Sequence, residues 1–101
     1  MLGPFAGPDL VCPLWPVAPV PEAPLITGAG AAPVVVLGTT GDPATPYENA
    51  VGMADQLESG VLVTLEGEGH TAYDQSACVQ GLVRPYLLGG PPPADGSRCS
   101  R

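Results

Sequence analysis

The sequence predicts an α/β fold: a β-α-β-α segment with parallel strands and an incomplete sheet. Two short apolar runs, 34–37 and 61–65, are rich in β-branched residues and do not alternate with polar ones. Such runs are typical of strands buried on both faces. A segment with helical periodicity separates them, and a strand–helix–strand unit of this kind pairs its strands in parallel.

The chain divides into three regions by composition. Residues 1–32 contain proline after proline and predict an irregular connector, because proline neither continues a helix nor joins a central strand. Within this connector we expect Trp15 to anchor the chain onto a core. Residues 33–88 carry the predicted strands and helices, and 89–101 are predicted to be an irregular tail.

Two helices are predicted from their start signals and their periodicity. Thr45 is a suitable N-cap for the first, and Pro46 suits its opening turn. Its apolar face is formed by Tyr47, Ala50, Val51, Ala54 and Leu57, at helical spacing. The second helix is predicted at 76–88, where Pro85 should kink the helix or end it early.

The charge balance bears on possible partners. The chain has 101 residues, of which ten are acidic, three are arginine and none is lysine, so its net charge is -7. Nucleic acids and anionic membranes need clustered basic residues, so neither partner is expected. The sequence also lacks the apolar run of roughly 18 residues that a membrane span needs. The first residues lack the basic start of a signal peptide, so none is expected.

The three cysteines are Cys12, Cys78 and Cys99. An odd number leaves one unpaired in an oxidising compartment, unless its partner lies in further chain. Together with the absent signal peptide, this favours a chain cut out of something longer.

One acidic residue and the single histidine follow the two predicted strands. Asp42 comes after the first strand and His70 after the second. The carboxyl ends of parallel strands meet at one edge of a sheet, so we expect these side chains to meet. An Asp followed by a His is the second half of the Ser…Asp…His order of α/β-hydrolases. From the residues alone, Asp42 could equally be a turn-forming acid before a helix, and His70 an incidental loop histidine.

Two other kinds of site fit less well. Residues 67–72 match the G-x-G-x-x-A pattern of dinucleotide sites, but Glu68 would then face a pyrophosphate. A metal site built from His70 and the three cysteines would lack any C-x-x-C spacing. We therefore expect neither a cofactor nor a metal ion.

Three longer motifs are more specific than an Asp and a His alone. They are Gly-Thr-Thr-Gly-Asp-Pro-Ala-Thr-Pro-Tyr at 38–47, Ala-Asp-Gln-Leu at 54–57 and Gly-Glu-Gly-His-Thr-Ala-Tyr at 67–73. In this combination the chain resembles, over residues 12–99, the C-terminal domain of the tripeptidyl-aminopeptidase-like (TAP-like) α/β-hydrolases. These are secreted actinobacterial serine exopeptidases of the S33 peptidase type.

The resemblance implies the C-terminal β-α-β-α segment of an α/β-hydrolase fold, with Asp42 and His70 as triad members. It further implies a disulfide between Cys78 and Cys99, and a secreted or cell-envelope location. The partner of Cys12 would then lie in upstream chain.

The chain departs from this family in one large respect. It contains no Gly-x-Ser-x-Gly, and its four serines (59, 76, 97 and 100) lie at helix ends or in the tail. The predicted function is thus the Asp and His part of a serine exopeptidase, inactive alone and binding peptide substrate only with a missing N-terminal half. The alternatives are a non-catalytic remnant or interaction module, and one half of a split hydrolase.

Overall fold

The computed structural model describes residues 12–101. Its elements in chain order are β1 (Val34–Gly41), α1 (Tyr47–Gln56), β2 (Gly60–Glu68), a 3₁₀ turn (Tyr73–Gln75), α2 (Ala77–Leu87) and β3 (Ser97–Ser100). The strands form one sheet in the order β1-β2-β3, and both pairings are parallel. The predicted α/β fold with parallel strands and an incomplete sheet is confirmed.

β2 is the central strand, and the two helices cover opposite faces of the sheet. Val63 and Leu65 of β2 are 0% exposed. On one face, α2 packs over the sheet in a core cluster of Leu65, Ala72, Val79, Val83 and Cys99. On the other face, the hydroxyl groups of Tyr47 in α1 and Thr64 in β2 form a 2.8 Å hydrogen bond.

The helix ends differ from the sequence predictions in two places. Thr45 does not cap α1, because its hydroxyl donates to the carboxylate of Asp42 instead. α2 continues two residues beyond Pro85, to Leu87, so the proline does not end the helix early. Proline removes the hydrogen bond that an N–H at this position would donate to the carbonyl four residues earlier, but only two helical residues follow it.

The prediction of a wholly irregular tail is wrong, because the tail contributes β3. Contacts with both β2 and α2 hold this strand in place. The backbone N–H of Leu62 donates to Asp95 at 2.8 Å, and a disulfide joins Cys99 to Cys78 of α2. The Ser-Arg-Cys-Ser sequence of β3 carries little strand preference of its own, so these tertiary contacts decide its conformation.

Residues 12–33 contain no helix or strand, and the first eleven residues of the predicted connector lie outside the described range. The expectation that Trp15 anchors this connector is wrong, since Trp15 is 63% exposed. Its backbone N–H donates locally to the carbonyl of Cys12 at 3.2 Å. The described part of the connector therefore presents this indole to solvent instead of burying it in the core.

The packing of α1 on β1 can be tested at Gly38. A Cβ atom there would lie 2.8 Å from Cβ of Ala50 and 2.9 Å from Cδ2 of Tyr47. We expect Gly38→Ala to lower the free energy of unfolding by about 1–3 kcal/mol, as overpacking does, and so to lower the urea midpoint.

Gly52 provides the matched control for that substitution. It lies inside α1, and a Cβ atom there would meet no atom of the described part of the chain within 4 Å. Gly52→Ala should raise the free energy of unfolding by about 0.5–1 kcal/mol through helix preference alone. Equal effects of the two substitutions would contradict the close approach of helix and strand.

Candidate active site

An irregularity in the β1–β2 pairing positions the site. The register shifts between Thr39 and Gly41, so that β2 uses one more residue than β1. The side chain of Thr40 satisfies the backbone there, donating to the carbonyl of Gly67 at 3.3 Å and accepting from its N–H at 3.1 Å. Such bulges bend a strand and redirect its end. The N–H of Gly69 then donates to the carbonyl of Gly41 at 3.2 Å, so the two following loops leave the sheet together.

The side chains of Asp42 and His70 meet where these loops leave the sheet. Nδ1 of His70 lies 3.1 Å from Oδ1 and 3.0 Å from Oδ2 of Asp42. The Asp42 side chain is 5% exposed, whereas that of His70 is 53% exposed. The carboxylate therefore occupies one ring nitrogen in a shielded position, and Nε2 is left for another group.

Asp42 accepts several further hydrogen bonds from its own loop and from the loop of His70. Oδ1 accepts from the backbone N–H of Ala44 at 2.8 Å and of Thr45 at 2.9 Å. Oδ2 accepts from the Thr45 hydroxyl at 2.9 Å and from the N–H of Thr71 at 3.4 Å. The turn-forming role and the histidine contact are thus not alternatives, because one carboxylate serves both.

These donors favour the ionised carboxylate. The backbone N–H of Thr45 is the largest cause that holds the pKa of Asp42 well below its usual range, and burial acts in the opposite direction. The N–H of Ala44, the His70 ring and the Thr45 hydroxyl lower this pKa further. The site therefore contains a carboxylate that remains charged beside the imidazole.

The His70 loop has an uncommon backbone conformation. Gly69 has φ = 122° and Thr71 has φ = 68°, both in the region that side chains disfavour. The side chain of Gln75 donates to the carbonyls of His70 and Thr71. These roles of Gln75 and Thr45 are not predicted from the sequence. The position of Thr45, three residues after Asp42, is a local signal that its hydroxyl could bond to that carboxylate. No feature of the neighbouring sequence distinguishes Gln75 in this way.

A cleft of about 450 Å³ opens beside the Asp–His pair. Residues from β1, α1 and the His70 loop line it, and most are apolar, including Val36, Leu37, Ala50, Met53 and Ala72. The hydroxyl of Thr39, which also borders this cleft, is buried and has no hydrogen-bond partner among residues 12–101. The imidazole thus faces a space that could receive an apolar group.

The serines of the chain do not complete this site. The Ser59 hydroxyl donates to the carbonyls of Ala31 and Ala32, and Ser76 caps α2 by accepting from Val79. In the described range, which includes all four serines, no serine hydroxyl hydrogen-bonds to His70. Within the described range, the arrangement therefore brings a carboxylate and an imidazole together without a serine hydroxyl beside them.

The cysteines pair as the resemblance implied. A disulfide joins Cys78 to Cys99, and Cys12 is exposed. Over residues 12–101, no group of three or more His, Cys, Asp or Glu side chains is placed to hold a metal ion. Neither helix in that range has the length and apolar character needed to cross a bilayer.

Comparison with known proteins gives consistent matches. The family model described as TAP-like protein matches residues 2–99. Serine protease Hip1 of Mycobacterium tuberculosis H37Rv is 41% identical over 100 residues, which cover 96% of this chain and 19% of that protein. Carboxylesterase B of the same strain is 45% identical over 105 residues, which cover 97% of this chain and 19% of that protein.

A third relative comes from another genus. The tripeptidyl aminopeptidase of Streptomyces lividans is 31% identical over 94 residues, covering 91% of this chain and 18% of that protein. The chain therefore spans about a fifth of the length of these relatives.

The lowered pKa of Asp42 predicts a pH dependence of stability. Its carboxyl group has an ordinary pKa of 3.8, so the ionised form stabilises the fold above that pH. This contribution is lost as pH falls through the lower pKa of the folded state. We expect Asp42→Asn to lower the thermal midpoint most above about pH 5, with the difference from the parent shrinking below about pH 4.

Asp55→Asn is the control, since it removes an exposed carboxylate from α1. Thermal midpoints would be measured for the parent and both variants from neutral to acid pH. If Asp42→Asn changed the midpoint no more than Asp55→Asn at any pH, the hydrogen bonds to Asp42 would not stabilise the fold.

Proposed function

The chain belongs to the TAP-like protein family of α/β-hydrolases, and from this membership we propose that it supplies the acid and the base of a Ser-His-Asp triad. Asp42 is the acid and His70 is the base. The contact of His70 Nδ1 with both carboxylate oxygens carries this proposal. The nucleophilic serine lies on protein chain outside these 101 residues.

The proposed mechanism is acyl transfer. With its proton on Nδ1 and donated to Asp42, the imidazole presents the lone pair of Nε2. The serine oxygen attacks the carbonyl carbon of the substrate while Nε2 takes the hydroxyl proton, and His70 then gives this proton to the leaving group. Water attacks the acyl-serine in the second half, again with His70 as base, and releases the acid and the free serine.

Asp42 would act without becoming protonated. Its hydrogen bonds to Ala44, Thr45 and Thr71 favour the ionised form throughout the cycle. A fixed carboxylate holds the imidazole in one tautomer and stabilises the imidazolium that forms when the serine is deprotonated.

The cleft and the relatives support a proposal for the substrate class. A serine protease, a carboxylesterase and a tripeptidyl aminopeptidase, as their names state, are hydrolases of acyl compounds. We propose short peptides cleaved from free N-termini as substrates, with apolar side chains entering the cleft beside His70. The Cys78–Cys99 disulfide supports an oxidising location, so we propose a secreted or cell-envelope enzyme.

The role of Asp42 can be measured when this chain is joined to the serine-bearing part. We expect Asp42→Asn to lower kcat by about 10⁴, because the amide favours the wrong imidazole tautomer. Asp74→Asn, which neutralises an exposed acid in the 3₁₀ turn, is the control and should leave kcat near the parent value. Near-normal turnover of Asp42→Asn would refute the proposed triad.

A labelling experiment tests where the nucleophile lies. Proteins of the source organism would be treated with a fluorophosphonate probe, and labelled bands searched for peptides that span residues 42–47 and 69–73. We expect them in a labelled protein much larger than this chain. Recovery only from an unlabelled species of 101 residues would instead favour a non-catalytic interaction module. If mixing with a separate serine-bearing chain restored esterase activity, the protein would be half of a split hydrolase.

A further inference from the structure

We propose that Gln75 is a positioning residue, which holds the His70 loop in the conformation that the contact with Asp42 requires. This inference rests on the proposed function of the Asp–His pair. It adds a residue that touches neither substrate nor the reacting nitrogen, and that acts through the backbone on either side of Thr71.

The side-chain amide of Gln75 bridges two consecutive carbonyl groups. Its Nε2 donates to the carbonyl oxygen of His70 at 2.6 Å and to that of Thr71 at 2.5 Å. Carbonyl oxygens only accept hydrogen bonds, so the amide must present its nitrogen, and not its oxygen, to both. A flipped amide would place its own oxygen against these two carbonyl oxygens, so that three acceptors would face each other without a donor.

The two bridged carbonyls belong to the peptide groups on either side of the Thr71 α-carbon. Their relative orientation is therefore set by the backbone dihedrals of Thr71, whose φ is 68°. A β-branched residue in this left-handed region is strained, and it persists only where neighbouring contacts require the conformation. The bridge from Gln75 is such a contact.

The same conformation orients the loop toward the acid. With φ positive, the N–H of Thr71 donates to Oδ2 of Asp42 at 3.4 Å, on the same oxygen that lies 3.0 Å from Nδ1 of His70. A Cβ atom on Gly69 would lie 2.6 Å from Oε1 of Gln75, so the loop wraps closely around this side chain. Gln75 thus contacts the loop on both sides of His70.

Gln75 is itself tied to the core of the sheet. It ends the 3₁₀ turn, and its backbone N–H donates to the carbonyl of Ala72 at 3.3 Å. Ala72 is buried in the cluster under α2. The contacts of Gln75 therefore fix the loop of the exposed histidine relative to the core.

The test uses the tautomer of His70 as its readout. His70 is the only histidine in the chain, so the imidazole ¹⁵N signals of the labelled 101-residue protein report on it alone. In the parent, the neutral ring should carry its proton on Nδ1, facing the carboxylate. A general loss of stability would not move this tautomer ratio while the chain stays folded.

Gln75→Glu keeps the shape but sets a carboxylate against the two carbonyls, and Gln75→Leu removes the donor without adding charge. We expect both to lower the ratio of Nδ1–H to Nε2–H by about threefold to tenfold, as the loss of one or two net hydrogen bonds would. Gln56→Glu is the matched control, because Nε2 of Gln56 donates at 2.7 Å to Ile26. It should leave the ratio unchanged.

Thr71→Gly supplies the rescue. Glycine adopts positive φ at little cost, so it should restore most of the ratio in the Gln75→Leu background. If Gln75→Glu unfolds the chain, the double variant with Gln75→Leu and Thr71→Gly provides the test. Recovery of the Nδ1 proton in this variant supports the inference, and no recovery overturns it. An unchanged ratio in folded Gln75 variants overturns it too. A parent without the Nδ1 proton would refute the role of the Asp–His pair itself.

Discussion

β1 and β2 run parallel, and the extra residue that β2 carries near its end is the constraint on which the site depends. It follows the pairing of Thr39 with Leu65, so the last part of β2 is turned relative to β1. The loop that follows is thereby tied to Gly41, directly before Asp42. Successive side chains along a strand point to opposite faces of the sheet. A shift of one residue in the pairing therefore changes which side chains of the two strands can meet.

The Asp–His pair combines two different environments within a few ångströms. Asp42 is shielded and surrounded by donors from two loops, whereas the ring of His70 is half exposed. A carboxylate saturated with hydrogen bonds is a poor proton acceptor but a good electrostatic partner. The histidine keeps one nitrogen accessible while its other nitrogen is fixed. This asymmetry is what a base needs in order to gain and lose protons against a constant neighbour.

Features with a local or periodic signal could be predicted from the sequence, and features held by distant contacts could not. Helical periodicity located α1, and the parallel topology brought Asp42 to His70. β3 was missed because Asp95 and the disulfide of Cys99, not strand preference, hold it in place. The bridging contacts of Gln75 depend on the fold of a loop, which no spacing in the sequence encodes.

The disulfide between Cys78 and Cys99 also changes what a cut in the backbone would do. The two cysteines are 21 positions apart, and the segment 88–91 between α2 and β3 is exposed. A protease that severs this segment would not release β3, because the sulfur–sulfur bond and the pairing with β2 both survive. The sheet would persist as two chains of one molecule, which separate only under reducing and denaturing conditions.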